Sequence, residues 1–235
     1  MKVALLLPGL TRSAKLCYDS LNRFLLSHYD VDVYIHTWDF SNFSLDSNNA
    51  EREIEISEIE SLYKPKKIVV ENYYDKRDSL IEKYSNYNKL QGTPERSISM
   101  FYKVEQCFNL IEDSNEYDCI IRCRMDLLLN EQLDLEKIDI SAINIPSEQP
   151  RQTICVDEYY YSIPHDSYGI IDVFSIGNYE SMKKYCNVYS NLDRLCLEIG
   201  LNYHPELILK QNLDTQGLNI KRFDLDYSLV RKPNK

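Results

Sequence analysis

Arg122, Arg124 and Asp126 stand two apart in the stretch Tyr-Asp-Cys-Ile-Ile-Arg-Cys-Arg-Met-Asp that closes at residue 126. Side chains two apart on an extended chain point to one face. Two guanidiniums and a carboxylate in that register can neutralise a phosphate or diphosphate, or close on one another as a structural ion pair at a sheet edge. The run before them, Cys119-Ile120-Ile121, is short, apolar and β-branched, as expected of a strand buried on both faces. The charges then fall at the carboxyl end of a central strand, where open α/β sheets bind ligands. Desolvating three charges there is costly unless a ligand or partner satisfies them.

Other reactive groups fall at similar places. Residues 2–7, Lys-Val-Ala-Leu-Leu-Leu, read as a buried parallel strand that stops at Pro8-Gly9; the turn Gly9-Leu10-Thr11-Arg12 and a helix with Cys17, Leu21, Phe24, Leu25 and His28 on one face follow. Strand, glycine turn and helix together offer backbone N–H groups to a phosphate. The turn carries neither G-x-G-x-x-G nor G-K-[ST], which removes support for a dinucleotide motif or a P-loop. Val31–Ile35 alternates as a second strand and runs into His36-Thr37-Trp38-Asp39, again at a strand end, with no His or Cys at ligand spacing from His36. Asp172 interrupts the apolar run Ile170–Ile176, where desolvation would make a carboxylate a candidate base. Glu206 follows Pro205 at a helix start, where the helix dipole favours an acid in any case.

Positioning these groups requires alternating strands and helices. A helical turn over Ile56–Tyr63, a strand at Ile68–Val70, and a helix opened by Pro94 with Ile98, Phe101, Val104, Phe108 and Ile111 on one face are predicted; Met100, Lys103 and Cys107 form a neighbouring stripe. Leu127–Leu129 and Ile138–Ile145 read as strands. Gly177-Asn178 turns into a helix carrying Met182, Tyr185, Val188 and Tyr189, and Leu207–Gln216 is a helix ended by Gly217. Strands at Leu218–Phe223 and Leu225–Val230 close the chain. Residues 41–53, Asn72–Arg96 and 146–168 read as loops.

The chain's 235 residues suit one domain, since single cores stop growing beyond roughly 250–300 residues. With 27 basic against 37 acidic residues and a net charge of −10, a non-specific grip on nucleic acid is excluded, whereas a local arginine cluster can still hold a small anion. Seven scattered cysteines with no C-x-x-C predict reduced, buried thiols. The N-terminal apolar run is too short for a signal peptide, and no segment reaches the about 18 apolar residues of a membrane span, so a cytoplasmic chain without an integral membrane segment is expected. The pattern as a whole predicts an α/β, Rossmann-like sandwich with its ligand along one sheet edge.

Five motifs in order, Leu7–Arg12, Asp32–Trp38, Met100-Phe101-Tyr102 with Lys103, Tyr117–Asp126 and His204-Pro205-Glu206, resemble those of GT-A glycosyltransferases such as WavE-type lipopolysaccharide-synthesis proteins and similar enzymes of large DNA viruses. The resemblance implies a GT-A sandwich over residues 1–235 with a mostly parallel central sheet flanked by helices, a nucleotide-binding half over about 1–130 and an acceptor half over about 131–235. It implies transfer of a sugar from a nucleotide-sugar to a carbohydrate or other hydroxyl acceptor. Pro8, Gly9, Leu10, Thr11, Arg12, His36, Thr37, Trp38, Lys103, Arg122, Arg124 and Asp126 would bind the donor, with Asp172 and Glu206 as catalytic carboxylates on the acceptor side. Asp126 would stand where the family's D-x-D aspartate binds Mn²⁺ or Mg²⁺. Arg124 occupies the first acidic position of that motif, which leaves two routes open: Arg122 and Arg124 neutralise the diphosphate themselves, or Asp126 binds a metal largely through ligand oxygens and water. A sugar-phosphate nucleotidyltransferase and a non-catalytic carbohydrate-binding module are the rival readings.

Overall fold

The computed structural model describes residues 1–40, 56–88, 94–147, 151–155, 158–162 and 169–231. Val3 to Leu7 are all fully buried, because a strand without a polar side chain can only sit in the middle of a covered sheet. This strand, β1 (Lys2–Pro8), is followed by α1 (Ala14–Leu21), β2 (Asp30–Trp38), α2 (Ile56–Tyr63), β3 (Lys67–Glu71), α3 (Tyr73–Ser85), α4 (Pro94–Phe108) and β4 (Cys119–Cys123). Then come β5 (Leu127–Leu129), β6 (Ile143–Pro146), β7 (Arg151–Cys155), β8 (Glu158–Ser162), β9 (Phe174–Gly177), α5 (Tyr179–Cys186), α6 (Val188–Asp193), α7 (Pro205–Thr215), β10 (Ile220–Phe223) and β11 (Tyr227–Arg231).

The central sheet has the order β10-β6-β9-β4-β1-β2-β3. Its pairs are parallel except those of β9, which runs antiparallel to both β4 and β6. A smaller sheet, β5-β11-β7-β8, lies beside it. The fold is thus the expected α/β sandwich with a mostly parallel sheet flanked by helices. Alternation along β1 divides the core: Ala4 and Leu6 pack with Ile98, Phe101, Tyr185 and Leu209 of the helical layer, while Val3, Leu5 and Leu7 face Leu21, Leu25, Ile59 and the smaller sheet's Leu127 and Leu229. Each fully buried leucine contributes about 1.5–3 kcal/mol.

Several elements differ from the sequence-based expectation. Asn72–Arg96 is not a loop, since α3 fills much of it and Asn72 caps that helix by accepting from the Tyr74 and Asp75 amides. Its buried residues, Tyr73, Leu80 and Tyr84, are mostly tyrosines, which blurs an apolar period. The 146–168 loop likewise contains the β7–β8 hairpin pairing. Within Ile138–Ile145 only the end is strand, as β6. β2 extends to Trp38, so His36 and Thr37 lie inside the strand rather than after it. β9 begins at Phe174, so Asp172 sits in the bend before it and interrupts no strand. The 41–53 loop lies outside the described residues. Six cysteines, Cys17, Cys107, Cys119, Cys123, Cys186 and Cys196, are buried and unbridged.

Candidate functional site

The parallel register of β2, β1 and β4 brings their carboxyl ends level, with Leu6 opposite both Tyr34 and Arg122. The chain must turn sharply after β1. Gly9 does so at φ +98°, which only glycine adopts cheaply, and its N–H donates to the His36 carbonyl at 2.9 Å. Arg12, itself at φ +37°, is thereby aimed back across the strand ends.

There it meets Asp126. Arg12 Nη1 donates to Asp126 Oδ2 at 2.7 Å; Arg124 donates through Nε to Oδ1 at 2.8 Å and through Nη2 to Oδ2 at 2.6 Å. Asp126 is 1% exposed. Burial alone pushes its carboxyl up, but the two guanidiniums outweigh that and hold it well below the usual carboxylate range. Arg122 points from β4 into the same space, 2% exposed, and its Nε and Nη1 find no hydrogen-bond partner among the described residues.

Pro8, Gly9, Leu10, Arg12, Trp38, Arg122, Arg124 and Asp126 line one open cleft, joined by Ser99, Met100 and Met125. The enclosed part of the cleft is small, about 70 Å³, and it opens to solvent at its mouth. Three arginines against one aspartate give its walls a surplus of positive charge. Ser99 and Met100 lie one turn before Lys103 on α4, so helical spacing from Lys103 was the signal that could have found them.

No family model matches the chain, and no curated protein matches it. Among solved structures it is similar to the crystal structure of mouse xyloside xylosyltransferase 1 in its apo form, with a TM-score of 0.43 and 14% identity over 95% of this chain and 84% of that one.

The remaining predicted donor residues do not line the cleft; they support it. Thr11 is buried, and its carbonyl accepts from the Ala14 N–H at 2.7 Å, closing the turn into α1. Lys103, fully buried, donates to Glu71 Oε2 at 2.8 Å and to the Thr37 carbonyl at 2.9 Å, with its Nζ 3.2 Å from His36 Nδ1. That ammonium also lies 3.4 Å from the centre of the Trp38 ring, on which Tyr102 stacks. Burial lowers Lys103 to about 8 against the pull of Glu71, and lowers His36 to about 4. Neutral His36 accepts from Lys103 at Nδ1, and its Nε2 faces Glu71 at 3.8 Å. Every hydrogen of the lysine has a partner inside the fold, so Lys103, His36 and Thr37 form the floor on which Trp38 rests.

The two carboxylates have different surroundings. Asp172 is half-buried and lines a second, smaller cavity with Met100, Phe101, Val104, Arg122, Tyr185, Val188 and Leu209, so Arg122 and Met100 are common to both spaces. Glu206 stands in the first turn of α7, its carboxylate 4.0 Å from His204 Nδ1 and its backbone against Gly169. It lines neither space.

The donor set does not fit Mn²⁺ or Mg²⁺ at Asp126. Three arginine bonds already occupy both its oxygens, and among the described residues no three His, Cys, Asp or Glu side chains gather as a metal site. A hard divalent cation needs several oxygen ligands and is repelled by adjacent guanidiniums.

Proposed function

We propose that this chain is a glycosyltransferase that moves a sugar from a nucleotide-sugar to a carbohydrate hydroxyl. The observation that carries this reading is the meeting of Arg12, Arg122 and Arg124 at the carboxyl ends of β1 and β4, with Arg122 buried and short of partners. Guanidiniums so placed suit a diphosphate leaving group, whose charge grows as its bond to the sugar breaks. Four of the five ordered motifs contribute residues to the cleft, in agreement with the resemblance that suggested a transferase.

In the proposed reaction the bond between the anomeric carbon and the diphosphate oxygen breaks, and its electron pair leaves with the diphosphate. The acceptor oxygen forms the new bond to that carbon, and its proton passes to a carboxylate on the acceptor side. Trp38 and Met100 offer apolar surface for the nucleoside or the sugar. Asp172 is the carboxylate better placed to serve the acceptor, because its cavity shares Arg122 with the donor cleft.

The test is a panel of nucleotide-sugars assayed for acceptor-free hydrolysis and for transfer to simple saccharides. Asp172→Asn is expected to lose transfer while keeping donor binding, and Glu206→Gln to keep both. Equal loss of donor binding in the two variants would remove the acceptor role, and release of nucleoside triphosphate on adding pyrophosphate would make the chain a nucleotidyltransferase.

A further inference from the structure

Arg122 is an expense the fold does not need. Replacing a buried ion by an apolar side chain of similar volume is often neutral or stabilising, and a buried cation short of partners is the costlier case. On β4 its neighbours Ile120, Ile121 and Cys123 are apolar and fully buried, and Met100, Phe101, Tyr185, Val188 and Leu209 surround it with more apolar surface. Asp172 lines the same smaller cavity, yet no ion pair joins the two among the described residues. The Nε and Nη1 hydrogens therefore lack a protein acceptor there, while Arg122 is among the residues that line the cleft. Groups left unsatisfied inside a well-packed fold call for an occupant.

Asp126 plays the opposite part. Arg124 spends Nε and Nη2 on it and Arg12 spends Nη1, so one carboxylate holds two cations side by side at the rim of the cleft. An aspartate used in this way positions arginines and offers a metal nothing.

We propose that the cleft is a diphosphate seat that works without a divalent cation, with Arg122 as its buried anion-binding residue and Asp126 as the positioning residue for Arg12 and Arg124. The inference rests on the transferase reading only for the source of the diphosphate. A dianionic group entering the cleft accepts from the Arg122 hydrogens and meets the surplus positive charge of the walls. The arginines thus take the place that a metal ion fills in a D-x-D site.

Inorganic pyrophosphate is the probe. The full chain, freed of metals with EDTA, is titrated by calorimetry, and the titration is repeated with Mn²⁺ and with Mg²⁺. Saturable binding in EDTA, changed less than about threefold by either metal, is expected. Arg122→Lys keeps the charge but loses the planar fork, and it should weaken binding by about tenfold or more; Arg122→Met should abolish it while raising the melting temperature or leaving it unchanged. Binding that appears only with metal, or Arg122→Lys binding as tightly as the parent, overturns the proposal. The metal arms use the unmodified chain, so a variant that misfolds does not spoil the test. Metal-free pyrophosphate binding without turnover of any nucleotide-sugar would defeat the transferase reading alone, and turnover strictly dependent on Mn²⁺ would defeat this proposal alone.

Discussion

At the scale of single residues, the contrast between Arg122 and Lys103 separates a ligand site from a scaffold. Both are buried cations near one cleft, but Lys103 has Glu71, Thr37 and His36 around its ammonium, whereas Arg122 keeps two nitrogens without a described partner. The Lys103 network makes acid stability testable. His36 is lowered to about 4 in the fold from an ordinary 6.5, so the unfolded chain takes up its proton first. The His36 contribution is therefore complete above pH 6.5 and is lost as the pH falls toward 4, a swing of about 3 kcal/mol at most. Lys103, Glu71 and Tyr102 face the ring, and Glu71, itself lowered by Lys103, adds its loss only below the ordinary glutamate range. Urea midpoints for the wild type should drop between pH 6.5 and 4, and His36→Asn should flatten that slope whatever its effect at pH 7. A parallel slope in the variant would place the acid sensitivity elsewhere. At the rim, Arg12→Ala removes one of the three arginine bonds to Asp126. It is expected to weaken pyrophosphate binding more than it lowers the melting temperature, and a fall in melting temperature with unchanged affinity would make Arg12 scaffold only.

At the scale of elements, the sequence disclosed most where one residue type dominates one environment. The apolar run of β1 and the β-branched run of β4 point to a central strand. Of the three charged residues at its end only Arg122 lies within β4, while Arg124 follows the strand and Asp126 sits in the turn beyond, so the extended two-apart register does not describe all three. Tyrosine hid other elements, since Tyr73 and Tyr84 bury rings while reading as polar, and α3 passed for a loop. Asp172 reads as part of a strand because Ile170 and Ile171 are apolar, yet they are buried by core packing before β9 begins. That the Arg12 turn reaches Asp126, 114 residues away, depends on β1 and β4 being neighbours, which no local pattern states. The approach of α7 to the segment before β9 is a further non-local feature. An added Cβ on Gly169 would come within 2.5 Å of Glu206 Cβ and 2.7 Å of its carbonyl carbon, and the Ile170 N–H donates to the Glu206 carbonyl at 3.0 Å. Because the obstacle includes backbone, it cannot rotate away. Gly169→Ala should cost about 1–3 kcal/mol in urea unfolding, the usual range for overpacking, and should impair acceptor transfer more than pyrophosphate binding. A neutral effect would show that the first turn of α7 yields easily.

At the scale of the whole molecule, the cleft built from residues 8–126 is locked by the last strand of the chain. Ser13 precedes α1 in the capping position but gives the helix no side-chain bond, because its hydroxyl donates to the Val230 carbonyl instead. The Val230 N–H in turn donates to the Asp126 carbonyl at 2.8 Å. β11 thus grips the turn that carries Arg12 and the residue that orients it, while pairing with β5 and β7. Tyr227, Leu229 and Val230 are buried, and at about 1.5–3 kcal/mol each their loss would rival the 5–15 kcal/mol stability of an ordinary domain. A chain ending at Asp226 is therefore expected to lose cooperative unfolding. Ser13→Ala is the finer probe, since it removes one buried donor and leaves the strand in place. It should cost about 1–3 kcal/mol by stranding the Val230 carbonyl, speed exchange of the Val230 amide hydrogen, and weaken pyrophosphate binding although Ser13 does not line the cleft. If stability falls while the Val230 amide and the affinity stay as they were, the last strand supports the fold without holding the site.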